Sequence, residues 1–159
     1  MISLIASVGR NFEIGKAGGL AFESRGELGY FKTTTMGHKI LMGRNTFDSL
    51  PRRLDGREYY VVSHQRNFPD WVNIVEDVDK FLEDWKNKPE ELFVIGGGSI
   101  YKTALPYARR LYLTGIAAKC PGADVFFPSF DEEQFTKKQV GEGEFEDGVT
   151  FARFVYERK

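Results

Sequence analysis

Phe93-Val94-Ile95-Gly96-Gly97-Gly98-Ser99-Ile100-Tyr101 is the stretch on which the architecture turns. A continuously apolar run such as Phe93-Val94-Ile95 suits a strand buried on both faces, as in a covered parallel sheet. The three glycines let the chain turn sharply and bring free N–H groups close to an anion such as a pyrophosphate. The common dinucleotide fingerprint G-x-G-x-x-G needs a glycine at position 101, where Tyr101 stands. Taken alone, the segment reads equally well as a tight strand-to-helix turn.

Two further segments repeat the pattern. Ile40-Leu41-Met42-Gly43-Arg44-Asn45-Thr46-Phe47 again runs strand, glycine, helix, with Arg44 and Thr46 at the helix start, where unpaired N–H groups favour anions. Val61-Val62-Ser63-His64-Gln65-Arg66 ends a strand with hydroxyl, imidazole and guanidinium together. Ligands of open α/β sheets bind at strand carboxyl ends, so three such ends suggest a nucleotide with more than one phosphate. Arg44 with His64 or Arg66 suits a phosphomonoester, which favours NADP over NAD. Singly each of these residues needs no role beyond a solvated loop charge; jointly they point to the nucleotide.

Between these segments the periodicity predicts strands over 2–8, 39–43, 58–63, 92–95 and 110–117, and helices over 25–35, 45–50, 78–87 and 99–105. Pro51, Pro89 and Pro106 mark three helix ends. Near the C-terminus, 133–140 and 149–157 flank the acidic stretch 141–148 and read as an antiparallel hairpin with a long loop. The expected fold is α/β: one domain over 1–159, with a mixed, mainly parallel central sheet, helices on both faces and the antiparallel hairpin at an edge.

The 159 residues are 42% hydrophobic and 28% charged, which fits one globular domain rather than a disordered chain. Lys and Arg total 22 against 23 Asp and Glu, a net charge of -1, so no global field favours nucleic acid or an anionic membrane. A single cysteine, Cys120, excludes an internal disulfide framework, and His38 and His64 make a poor metal cluster; no metal is expected. The apolar start, Met1 to Val8, lacks a basic segment before it and runs into Gly9-Arg10-Asn11, so a cytoplasmic protein is the expectation.

Glu27 has two readings. Ser24-Arg25-Gly26-Glu27 matches the capping box S-x-x-E, which would account for it structurally. Leu28 and Phe31, at helical spacing, are expected to face the core and to set Glu27 against an apolar wall, which suits proton chemistry. Both roles are open on the residues alone.

The chain resembles dihydrofolate reductase over nearly its whole length. Met1 to Ala6 is similar to the family's first strand, Ile14-Gly15 to the start of its mobile loop, and Glu27-Leu28-x-x-Phe31-Lys32 to the helix carrying its acidic residue. Met42-Gly43-Arg44-x-Thr46-Phe47-x-Ser49-Leu50, Leu54-x-Gly56-Arg57, Ile95-Gly96-Gly97-Gly98-x-x-Tyr101 and Leu111-Tyr112-Leu113-Thr114 follow in the family's order. Gly122-Ala123-Asp124 with Phe127-Pro128 fits its later G-D-x-x-F-P with one extra residue.

The resemblance implies NADPH-dependent reduction of 7,8-dihydrofolate, with hydride passing to pterin C6 and a proton to N5. It implies that Glu27, fixed by Thr114, orients the pterin through N3 and the 2-amino group. Ile5, Ala6, Leu28, Phe31 and Ile95 would surround the pterin, Leu50 and Leu54 the aminobenzoyl group, and Arg57 would hold the glutamate tail. For NADPH it implies Ala6, Ser7, Ile14, Gly15 and Leu20, then Gly43, Arg44, Asn45 and Thr46. Ser63, His64, Gln65 and Arg66 would face the 2'-phosphate, and Ile95, Gly96, Gly97, Gly98, Ser99, Ile100 and Tyr101 the pyrophosphate and nicotinamide. A cis peptide at Gly96-Gly97, a monomeric state and antifolates as further ligands are also implied.

Departures cluster near the acid. Ala21-Phe22 stands where the family has Pro-Trp, so Phe22 occupies a catalytic position without the indole N–H; Asn45 and Ser99 lack the charge often found there. A same-fold reductase of ribosylaminopyrimidines should lack the combination of Glu27, Thr114 and Arg57, and a non-catalytic nucleotide binder has no reason to carry it.

Overall fold

The computed structural model describes residues 1–50 and 52–159; Pro51, read above as a helix end, lies outside the described residues. The elements run β1 (Ile2–Val8), β2 (Glu13–Lys16), β3 (Gly19–Leu20), α1 (Arg25–Thr35), β4 (Lys39–Gly43), α2 (Arg44–Ser49), β5 (Glu58–Val62), β6 (Val72–Val75), α3 (Val78–Trp85), β7 (Leu92–Gly96), α4 (Gly98–Ala104), β8 (Arg110–Ile116), β9 (Val125–Phe126), β10 (Phe135–Glu144) and β11 (Thr150–Arg158).

The main sheet has the order β10-β11-β8-β1-β7-β4-β5-β6. Its six strands from β8 to β6 pair in parallel, and β11 joins β8 antiparallel, followed by β10. This is the mainly parallel sheet with an antiparallel C-terminal edge that the apolar runs predict. Alternation along the strands sends neighbouring side chains to two separate cores. Leu4, Leu41 and Val94 pack with Leu82, Trp85, Ile100 and Ala104 of α3 and α4. Ile5, Ile40, Met42 and Phe93 pack on the opposite face with Tyr30 and Phe31 of α1 and Phe47 of α2.

Three features depart from the sequence reading. The stretch 141–148 is not a long loop, because β10 continues to Glu144 past a register shift between Gln139 and Gly141, and the chain reverses between Phe145 and Val149. Its glycines and glutamates read as loop, but strand pairing with β11 supplies the partner that propensity withholds. A second, three-stranded sheet, β3-β2-β9, was not expected; its strands are two to four residues long and carry no apolar run to announce them. The edge strand β6 was likewise unread, being only four residues long and starting three positions after Pro69. Helix ends shift by one or two residues: α2 starts at Arg44, α4 at Gly98, and α3 ends at Trp85 behind an N-cap in which Asp77 accepts from the Lys80 N–H at 3.1 Å.

Candidate active site

Strands β4 and β7 lie side by side, with Met42 in register with Gly96 and a shift that leaves Ile95 over. The two glycine turns therefore emerge together from the carboxyl edge of the sheet. The Gly96–Gly97 peptide is cis, and Gly96 has φ +126°, a backbone open to glycine. A β-carbon on Gly97 would sit 3.6 Å from the Thr46 hydroxyl, and one on Gly98 would strike Val125 at 2.7 Å. A β-carbon on Gly43 would meet Ile100 at 3.2 Å. The turns thus form a cradle in which side chains at Gly43 and Gly98 would crowd their neighbours, while one at Gly97 would meet only ordinary contact. Asn45 and Ser99 are exposed at its rim, while Ile100 and Tyr101 face inward. Tyr101 donates its hydroxyl to the Ile5 carbonyl at 2.7 Å, and full burial pushes its pKa far up.

Beside the cradle, Arg44 is held from three sides. Its Nε bonds Asp48 at 3.1 Å, its terminal nitrogen bonds Gln65 at 3.1 Å and Asn67 at 2.8 Å, and the Phe68 ring lies 4.3 Å from the guanidinium carbon. Ser63 accepts from the Gln65 N–H at 3.0 Å. His64 is exposed next to them, whereas Arg66 is ion-paired with Glu76. The structure brings Arg44 and Gln65 together and turns Arg66 to a partner of its own.

Across the sheet edge, the loop after β1 carries Ile14 and Gly15 in β2, with Gly15 in register with both Leu20 and Val125. Leu20 is exposed. Phe22 packs over Gly9, where a β-carbon would lie 2.8 Å from its ring and 2.6 Å from the Glu13 carboxylate. Glu13 itself was not foreseen. It is buried, and its two oxygens accept from the N–H groups of Asn11 and Cys120, each at 2.6 Å.

The acid corner overturns one expectation. Ser24 is the N-cap of α1 but makes no capping hydrogen bond; its hydroxyl donates to Glu146 at 3.2 Å, and the Arg25 N–H donates to the same carboxylate at 3.3 Å. The capping box does not form, because Glu146 from the β10–β11 turn reaches the helix start. Glu27 is thereby released to point elsewhere. It accepts from the Thr114 hydroxyl at 3.2 Å and from Arg153 at 3.1 Å, and Arg153 also donates to Thr114 at 3.3 Å. Thr114 is buried and stands in register with Ser7 near the carboxyl ends of β8 and β1. Tyr30 lines the same corner; burial raises its pKa, and the Glu27 charge adds to this against the opposing Thr34 hydrogen bond and Arg153 charge.

Leu28 does not face the core as expected: it is 49% exposed beside Glu27, while Phe31 is half-buried against the α1 face of the sheet. Helical spacing sets Leu28 near Phe31 on α1 but does not decide whether another element covers it, and only Phe31 packs against the sheet. Leu54 is buried and Leu50 half-buried at the same face. Arg57, only 7% exposed, donates to the Thr35 hydroxyl at 3.2 Å and to the carbonyls of Asp55, at 2.5 Å, and Lys32. A guanidinium has five donors, so these three bonds immobilise it and leave two.

Besides Glu13, sequence reasoning missed Arg153. A signal existed: it is a single charge within Phe151-Ala152-Arg153-Phe154-Val155-Tyr156, and a charge inside an apolar strand asks for a partner.

A covered parallel sheet with two glycine turns at one edge, an anchored arginine beside them and a lone carboxylate on the first helix is the arrangement of a nucleotide-dependent reductase. A family model described as dihydrofolate reductase matches residues 1–158. The chain is 37% identical over 161 residues to the dihydrofolate reductase of Bacillus subtilis (strain 168), covering 100% of this chain and 95% of that one. It is 42% identical over 134 residues to the type 3 dihydrofolate reductase of Salmonella typhimurium, covering 82% and 80%, and 35% identical over 164 residues to that of Mycobacterium tuberculosis (strain ATCC 25618 / H37Rv), covering 99% and 98%. The chain belongs to the dihydrofolate reductase family. Membership implies an oxidoreductase with a nicotinamide cofactor. Among the described residues, no helix is long and apolar enough to cross a membrane.

Proposed function

We propose that this chain reduces 7,8-dihydrofolate to 5,6,7,8-tetrahydrofolate with NADPH, acting as a cytoplasmic monomer that supplies tetrahydrofolate for one-carbon transfer. The observation that carries the reading is Glu27, held by the Thr114 hydroxyl at 3.2 Å and left by the failed capping box to serve a ligand.

Glu27 accepts the pterin's N3–H and 2-amino protons as a charge-assisted pair, which fixes the ring and favours protonation at N5. The N5 proton arrives through water, because the acid lies at the far edge of the ring. Leu28, Phe31, Ile5, Ala6 and Ile95 supply the apolar walls; the exposed Leu28 is the wall that a bound ring would cover. Leu50 and Leu54 receive the aminobenzoyl group. The two unused donors of Arg57 suit a bidentate grip on the α-carboxylate of the tail.

When bound, the nicotinamide cofactor supplies the hydride. Backbone at Gly43, Gly96, Gly97 and Gly98, with Thr46, Asn45, Ser99, Ile100 and Tyr101 around them, forms the cradle that fits its pyrophosphate and nicotinamide. Ala6, Ser7, Ile14, Gly15 and Leu20 close over the other side. Arg44, Gln65, Ser63 and His64 offer the donors a 2'-phosphate needs, which supports NADPH over NADH; Arg66 contributes only by leaving Glu76. Phe22 fills its site without a donor to water.

NADPH oxidation on adding dihydrofolate, compared with ribosylaminopyrimidine and 6-hydroxymethyl pterins, tests the reading. Rapid turnover confined to dihydrofolate is expected; turnover confined to ribosylaminopyrimidine overturns it.

A further inference from the structure

Arg153 sits in β11 directly opposite Thr114 in the register with β8. Its terminal nitrogen donates to Glu27 at 3.1 Å and Thr114 at 3.3 Å, while Thr114 donates to the other Glu27 oxygen at 3.2 Å. Three elements thus close a triangle around one carboxylate. The guanidinium carbon lies 3.9 Å from the Tyr30 ring centre and 4.4 Å from that of Phe151, which stacks on Phe145 at 4.3 Å. The side chains of Arg153 and Glu27 are 12% and 15% exposed.

An ion pair this sheltered is a weak source of stability, since desolvation offsets its attraction. Its effect on the acid is larger. An ionised carboxylate has about four acceptor sites, two on each oxygen. Thr114 and Arg153 occupy one on each, so one on each remains for a ligand, the number that two parallel N–H donors of a heterocycle edge require. The pair also carries no net charge. A neutral ring keeps both hydrogen bonds, whereas a protonated ring meets the repulsion of Arg153 as well as the attraction of Glu27. The other titratable group facing Glu27 is Tyr30 on α1; burial and the Glu27 charge raise its pKa, so its hydroxyl stays neutral.

We propose that Arg153 is a positioning and charge-selecting residue: it fixes the Glu27 carboxylate and biases the site toward neutral heterocycles with paired N–H donors over protonated ones. The proposal rests on Glu27 being the pterin-holding acid.

The test measures binding of 2-amino-4-oxopteridine and 2,4-diaminopteridine to the full chain by calorimetry, without cofactor, at a pH below the diamino ring's own pKa. Arg153→Met is expected to tighten the protonated diamino ring by about tenfold and to change the neutral ring by no more than about threefold. Arg153→Lys, which keeps the charge, should restore the wild-type ratio. Arg153→Gln keeps a donor without the charge and gives the same readout if Arg153→Met does not fold. An unchanged ratio, or equal loss of both ligands, with dihydrofolate still reduced, overturns the role of Arg153 alone. A wild-type chain that binds neither ring and reduces no dihydrofolate overturns the reading of the site and this inference together.

Discussion

At the ends of β4, β5 and β7 the groups offered to a ligand are consecutive in sequence, whereas Glu27 is held by Thr114 and Arg153, 87 and 126 positions away. The first region is built by local backbone: glycine after strand, helix after glycine. The second is built by packing: α1 carries the acid, but β8 and β11 decide what it can do. A region of the first kind tolerates change elsewhere in the fold, while one of the second kind fails when any contributing element shifts.

The largest expected effect falls on the packed corner. Glu27→Gln should lower dihydrofolate reduction by about 10² to 10⁴, the scale of general acid-base assistance, with NADPH affinity nearly unchanged. Steady-state kinetics beside cofactor titration check this; wild-type turnover by the variant at neutral pH would remove the functional difference between the two regions.

For the locally built region, Arg44→Ala should cost roughly 1.5 to 3 kcal/mol of NADPH affinity and much less for NADH, as expected for a charge-assisted hydrogen bond to the 2'-phosphate. Fluorescence titration with both cofactors measures the difference. Equal losses would mean that Arg44 only braces Asp48, Gln65 and Asn67.

Glu13 joins the loop after β1 to the segment around Cys120, another long-range tie. Burial pushes its carboxyl up, but the N–H bonds from Cys120, its own backbone and Asn11, with the Lys119 charge, outweigh this and hold it below the usual carboxylate range. A depressed carboxyl contributes stability that is complete above its unfolded-state value and is lost as pH falls through the folded-state value. Glu13→Gln should therefore be less stable at neutral pH by roughly 1 to 3 kcal/mol, the cost of leaving a buried donor unpaired. Thermal melts should show this gap closing on acidification; a gap independent of pH would rule out the carboxylate charge as its source.

The smallest effect concerns Phe22, which packs over Gly9 but offers no donor. Phe22→Trp should raise kcat/KM for dihydrofolate by about two- to twelvefold, the worth of one restored water-mediated hydrogen bond, with cofactor affinity little changed. Single-turnover hydride transfer, with a melt to detect overpacking, measures it; a stable variant with an unchanged transfer rate would show that the water is held by another donor.

The parallel sheet and its order of turns were legible in the sequence, because apolar runs and glycines act within a few residues of where they stand. Phe93-Val94-Ile95 reads as a buried strand and Gly96-Gly97-Gly98 as the turn that hands it over to a helix, and both form as read. The same local signals failed where a partner from afar replaced a local one. Ser24 and Glu27 spell a capping box, yet Glu146 takes the helix start and Glu27 turns to Thr114 and Arg153. Residues 141–144 read as loop until β11 lies beside them, and Leu28 reads as core although it is left exposed next to Glu27. Sequence alone determined which backbone segments could become strands, turns and helices, since those preferences are short-ranged. Only tertiary structure decided which side chains meet, because hydrogen bonds and ion pairs form between whatever groups the packed sheet brings within reach.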